Sequence, residues 1–309
     1  MTALVQHLIN GLSLGSIYAL IALGYTLVYG ILRLINFAHG DLFMLAAYAA
    51  LAVATAAGLG TLPLAGAIEH AAGLGAFTYV LLAAMLIAAL MGWLIERLAY
   101  RPMRGQPRLN LLITAVGVSM LLENGAQVVF GATPRSFPLL LTEAPAFTIL
   151  GAQVSSLDLA VFSTAILLLI GLEALVHKTR MGLSMRAVSH SHEVAALQGI
   201  PVDKVIAFTF AVGSALAAGA AVLYGVKYPR VDPLMGVMPG MKAFVAAVIG
   251  GIGNLRGAVV GALILGLAET LVAAYGASTW RDALAFGLLI GILLFKPAGL
   301  FGKYEPEKV

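Results

Sequence analysis

The chain has 309 residues, of which 61% are hydrophobic and only 10% charged. A soluble domain carries about 25% charged residues, so a water-soluble globule is excluded. The net charge is +4, but the basic residues collect in short segments beside apolar runs, which is the pattern of membrane orientation and not of nucleic-acid binding. There is no cysteine, which removes disulfides, thiolate catalysis and cysteine-based metal sites.

The apolar runs are continuous, without the alternation of a barrel strand. Inside lipid each backbone N–H and C=O needs an internal partner, so these runs are read as helices. Spans are predicted at 8–32, 41–58, 75–95, 109–130, 157–176, 203–226, 240–253, 257–276 and 282–296. The fold class is an all-α polytopic integral membrane protein, a bundle of about eight to nine transmembrane helices in a single domain, 1–309. No basic region precedes the first run and no small-residue cleavage site ends a short apolar core, so it is read as a retained span. The run at 240–253 is short and Gly-rich and reads as half of a broken element.

Between the first two spans lies LRLINFAHGDLF (32–43), which puts Asn36, His39 and Asp41 around Gly40. Two readings stand. One is a solvent loop with Asp41 capping the next helix. The other is a break within the membrane, where an amide and an imidazole replace water for a passing solute. Helix ends beside Gly40 would then offer N–H groups to a carboxylate. Tyr18, Tyr25 and Tyr29 share one face of the first span; packing accounts for the stripe, and Tyr18 alone joins the pathway candidates. Glu123 with Asn124 interrupts the fourth span and Glu269 the eighth. The expense of charge at the bilayer centre makes them structural hydrogen-bond partners first, with Glu123 also a pathway candidate.

Lys and Arg set the orientation. Arg97, Arg101, Arg104 and Arg108 lie in 96–108; Lys178, Arg180, Arg186 and Lys204 in 177–204; Lys296, Lys303 and Lys308 in the tail. All three segments are expected in the cytoplasm, and the loop 131–156, with one Arg, outside. Counting back puts the N-terminus outside if 33–40 is a loop; a break there would undo the count.

Small residues recur at helical spacing: Gly11 with Gly15, Gly257 with Gly261, Gly213 with Ala217 and Ala220, and Ser214 with Ala218. Such faces let helices pack closely in lipid. One internal echo links two halves of the chain. INFAHGDLFMLAAY and VIGGIGNLRGAVVGALIL each place a Gly-containing polar break before a small-residue helix. Paired interruptions point to a solute route near mid-bilayer, which adds Asn254 to Asn36, His39 and Gly40 as candidates.

The segment 181–200, MGLSMRAVSHSHEVAALQGI, is too polar to span. Arg186, Ala187, Glu193, Ala196, Leu197 and Ile200 fit a short helix along the membrane surface, capped by Ser189 or Ser191 and ended by Pro201. It is either a connecting loop or a docking helix that offers Ala195, Ala196 and Gly199 to a partner's groove.

EVAALQG (193–199) resembles the Glu-Ala-Ala-x-x-x-Gly loop by which permease subunits of ABC importers engage their ATPases, with Val194 at the second position and without the Ile-x-Leu-Pro tail. Together with 11–48 and 248–271, it resembles the permease family of high-affinity branched-chain amino acid importers, to which urea and short-chain amide permeases are close. The resemblance implies a multi-pass protein of the bacterial inner membrane that moves leucine, isoleucine, valine or related small amino acids and amides by alternating access. It implies a second related permease forming a heterodimer, two cytoplasmic ATPases that bind ATP and Mg, and an extracytoplasmic solute-binding protein. It implies that Arg186, Glu193, Ala195, Ala196 and Gly199 are gripped by an ATPase, with 297–309 a short cytoplasmic tail. The chain has no Gly-x-x-x-x-Gly-Lys-Ser/Thr phosphate loop, so ATP would bind elsewhere and this chain is expected to hold no cofactor. The competing class is a transporter driven by an ion gradient, which would need ion ligands such as Asp41, Glu123 or Glu269. An enzyme is disfavoured: no nucleophile sits with a base, and no His pair has a metal-site context.

Overall fold

The structure, a computed structural model, describes residues 2–59 and 73–302. Lys303 and Lys308 lie outside the described residues. In chain order the helices are α1 (Thr2–Leu32), α2 (His39–Ala56), α3 (Gly73–Ile95), α4 (Arg108–Phe130), α5 (Ser156–Lys178), α6 (Arg180–His190), α7 (His192–Leu197), α8 (Val202–Lys227), α9 (Val237–Gly250), α10 (Leu255–Tyr275) and α11 (Trp280–Phe295). Every predicted span recurs as a helix within a few residues, save that α1 begins six residues earlier, at Thr2. Among the described residues seven helices are long and apolar enough to cross a membrane, and the protein is an all-α multi-pass membrane protein. The 14 residues of α9 cover about 21 Å, short of a hydrocarbon core of about 30 Å.

The bundle is built around α1, which packs on α10, α8, α9 and α5. Its stretch from Ile17 to Val28 is buried throughout. Lipid supplies no hydrophobic drive between helices, so close backbone approach takes its place. A β-carbon at Gly15 would lie 2.9 Å from the Ala262 carbonyl oxygen, and one at Gly11 2.9 Å from Leu267 Cα. By contrast, α3, α4 and α5 turn wide apolar faces outward, with Leu82, Leu86, Leu121, Leu167 and Ile170 exposed.

The two ends of the bundle differ. At the basic end a π-helical turn (Glu96–Tyr100) and a 3₁₀ turn (Arg101–Met103) extend α3. Asp203, in the first turn of α8, accepts from Arg101 at 2.5 Å and from Arg104 at 2.7 Å, and Arg104 also pairs with buried Glu96. Burial lowers the Arg104 pKa, and the Asp203 carboxylate opposes that shift. At the opposite end the loop after α4 forms β1 (Arg135–Ser136), β2 (Pro145–Ile149) and β3 (Ala152–Ser155). The hairpin β2–β3 turns at Leu150 and Gly151, both with positive φ. β1 pairs with β4 (Arg230–Val231) after α8. Ser155 and Asp158 make a capping box on α5, and Lys227 bridges Asp158 and Ser13, each at 2.6 Å.

Candidate functional site: a break at mid-bundle

The polar stretch 32–43 folds back into the bundle as a buried interruption between α1 and α2. After α1 ends at Leu32, Arg33 adopts φ 51° and residues 33–38 turn the chain back into the bundle. α2 then starts at His39, whose imidazole fills a notch at Gly24; a β-carbon there would collide with Nε2. Gly24 precedes Leu32 by eight residues, so α2 begins about 12 Å inside the end of α1. The loop reading is corrected accordingly. α2 still runs toward the opposite end, so the count of sides that sets the N-terminus against the basic end survives the break.

The side chains in this break are buried and incompletely paired. Asn36 Oδ1 accepts from Tyr100 Oη at 2.5 Å, while its Nδ2 has no hydrogen-bond partner. His39 packs edge-on against Tyr25 with ring centroids 4.7 Å apart, and its Nε2 is also unpartnered. Asp41 is the third residue of α2 and does not cap it; it accepts from Ser119 of α4 at 2.5 Å, with Glu123 one turn further along α4 beside it. Asn124, the neighbour of Glu123, turns outward and bonds only its own helix at Met120 O.

A second interrupted helix meets the first. The start of α9 abuts the start of α2: a β-carbon at Gly40 would lie 2.7 Å from the Gly236 carbonyl oxygen, and one at Gly240 2.8 Å from Gly40 Cα. Neither helix has a side-chain cap at its N-terminus. Helix N-termini carry partial positive charge and free N–H groups, so two of them converge at mid-bundle. From this point α2 leads to the opposite end and α9 to the basic end. The second interruption is therefore VDPLMGVMPG (231–240), which corrects the echo read at 248–265. That later stretch is the surface turn between α9 and α10. Asn254 caps α10 there, accepting from Gly257 N at 3.1 Å and donating to Phe301 O at 3.0 Å. It lies apart from Asn36, His39 and Gly40, held by the C-terminal segment, which bonds back to Ile249 and Gly250.

Tyr18 belongs to a different cluster. Its hydroxyl donates to Glu269 at 3.1 Å, Glu269 pairs with Lys242 of α9, and Lys242 reaches Asp282 of α11 at 2.8 Å. Lys242 and Glu269 are both buried. Glu269 is thus the structural partner the sequence suggested, neutralised by a cation, which removes it as a free ion ligand. Lys242 was missed. A lone cation and a lone anion within two apolar spans were the available signal, since intramembrane charges pair.

The surface segment is two helices, α6 and α7, where one was expected. Ser191 separates them in extended conformation and caps α7, its Oγ accepting from Val194 N at 3.3 Å. His192 Nε2 contacts the Ile31 carbonyl at 2.7 Å, tying α7 to the end of α1 five residues before Asn36. Arg186, Glu193, Ala196 and Gly199 are exposed, but Ala195 is buried in the core. Ala195 is corrected from a gripped residue to an anchor; the outward face carries Val194 and Leu197, the latter 86% exposed.

Residues 7–293 match the family model described as branched-chain amino acid transport system / permease component. The chain belongs to this family. The permease is 41% identical to the high-affinity branched-chain amino acid transport system permease protein BraD of Pseudomonas aeruginosa, over 99% of this chain and 98% of that protein. It is 40% identical to the corresponding LivH proteins of Salmonella typhimurium and Escherichia coli K12, in each case over 99% of this chain and 97% of the relative. No solved structure matches the permease. The matched region takes in both half-helices and the pair α6–α7.

Proposed function

We propose that this permease is the membrane-spanning subunit of an ATP-driven importer of branched-chain amino acids in the bacterial inner membrane, and that its solute passes the junction of α2 and α9. The observation that carries the route is the meeting of two uncapped half-helix N-termini beside the unpartnered Asn36 Nδ2 and His39 Nε2. Converging N-termini suit an amino-acid carboxylate, and Asp41 supplies a nearby countercharge for the ammonium. An apolar side chain has Tyr25 and Phe244 alongside. The near full-length relatives named for branched-chain amino acid transport support this solute class. A second related permease, two ATPases that bind ATP and Mg, and an extracytoplasmic binding protein complete the importer.

The outward face of α6–α7, with Arg186, Glu193, Ala196 and Gly199, is the handle for the ATPase, and the His192–Ile31 contact carries its movement into α1 and the break. Leu197→Arg tests this handle. Leu197 makes little packing in the chain itself, so folding and membrane level should hold. Co-purification of the ATPase subunits should fall about tenfold or more, the scale of an interface hot spot, and uptake with it. Unchanged association and uptake would contradict the handle. Gentle solubilisation followed by identification of co-purifying chains tests the assembly: two nucleotide-binding subunits and a sister membrane protein are expected.

A further inference from the structure

We propose that the cleft between α3 and α8 at the basic end is a binding site for one anionic glycerophospholipid. The cleft has a volume of about 900 Å³. Its floor is apolar, formed by Ala89, Leu90, Ala207, Phe208 and Ala211. Its rim carries Arg97, Arg101 and Lys204 together with Glu96 and Asp203, and Ala196 and Ile200 at the end of α7 close its outer edge. Arg101 is engaged by Asp203, but among the described residues Arg97 and Lys204 have no acidic partner. Arg97 stacks instead over Trp93, 5.2 Å from the ring centroid.

Depth decides the occupant. Ala211 lies nine residues past the start of α8, about 13 Å along a membrane-spanning helix. A soluble subunit docked at α6–α7 does not reach that far into hydrocarbon. Two unpaired cations above an apolar floor match a headgroup phosphate with an acyl chain beneath it, and basic pockets between helices at this face are the usual setting for such lipids. The outward side of α3 beside the cleft is apolar and exposed at Leu82 and Leu86.

The chain's two tryptophans provide the readout. Trp93 lines the cleft, whereas Trp280 starts α11 at the opposite end. The full-length chain with its co-purifying partners, carrying Trp280→Phe, is placed in phosphatidylcholine nanodiscs, and the same assembly with Trp93→Phe as well supplies the partners' signal to be subtracted. Phosphatidylglycerol with brominated chains is added, and brominated phosphatidylcholine at the same fraction serves as the comparison. Trp93 fluorescence should be quenched more by the anionic lipid. Arg97→Gln with Lys204→Gln should weaken that preference about 25-fold, from a roughly fivefold contribution of each basic group. Lys178→Gln, at the same end but outside the cleft, should leave it intact, and so should added inorganic phosphate. Equal quenching by both lipids in the chain with its cations intact would overturn the site. Quenching by neither would show that a membrane partner covers the cleft, and would overturn it equally.

Discussion

Replacing Lys242 with methionine is expected to destabilise the permease by roughly 3–5 kcal/mol, because it leaves the Glu269 carboxylate buried without its cation. Tyr18 alone would remain on that carboxylate. Three helices depend on the cluster, since Lys242 sits on α9, Glu269 on α10 and Asp282 on α11. The second substitution Glu269→Gln should recover most of the loss, since a neutral pair of similar volume needs no compensating charge. Thermal unfolding in detergent of the single and double variants checks this. A double variant no more stable than Lys242→Met would mean that the pair does not hold α9 in place. Asp282 is half exposed, so its removal should have a much smaller effect than that of Glu269.

The second large effect concerns the junction. A β-carbon at Gly236 would overlap the Gly40 carbonyl oxygen, which is backbone and can yield only by moving a half-helix. Gly236→Val is expected to add a packing penalty of about 1–3 kcal/mol to this conformation, which shifts a two-state equilibrium by about 5- to 150-fold. Alternating access requires both conformations, so uptake should fall by about that factor while the protein still reaches the membrane. Solute uptake into vesicles, normalised to the amount of inserted chain, is the check. Uptake unchanged by Gly236→Val would show that the two half-helices do not touch during transport.

Much of the fold was legible in the sequence because membrane helices announce themselves by length and continuous apolarity. Nine apolar runs became nine helices, and Lys and Arg marked one end of the bundle. The interruptions were legible only in part. INFAHG puts three polar or flexible residues, Asn36, His39 and Gly40, between strong spans, so a break could be offered there. VDPLMGVMPG (231–240) is less polar, and its Pro and Gly residues resemble an ordinary connection. Only the contact of Gly236 and Gly240 with Gly40 reveals it as the second half of the site. The more polar GGIGN drew the reading away, yet its polarity serves a surface turn with Asn254 as a cap.

Ala195 failed for a related reason. A small-residue face on a short helix suits either a partner or the chain's own core, and nothing local decides between them. The strands β1 to β4 are too short for alternation to show, and the β1–β4 ladder joins segments nearly a hundred residues apart. Asn36 and His39 were legible by residue type alone, because an amide and an imidazole flanking glycine are out of place in an apolar setting. Their unpartnered atoms, which single them out from Asp41 with its Ser119 partner, required coordinates.

This chain has no cysteine, so a single thiol introduced into it can report on the junction, with the unsubstituted importer as the blank. Ala38→Cys places one in the break, at a buried position between Asn36 and His39. Labelling of the assembled importer by a small, membrane-impermeant thiol reagent is then measured with and without ATP and with and without leucine. A route through the junction predicts reactivity from one side at a time, switched by nucleotide and suppressed by leucine. A thiol that stays unreactive in every state, or reacts alike whatever is added, would contradict passage of the solute between α2 and α9.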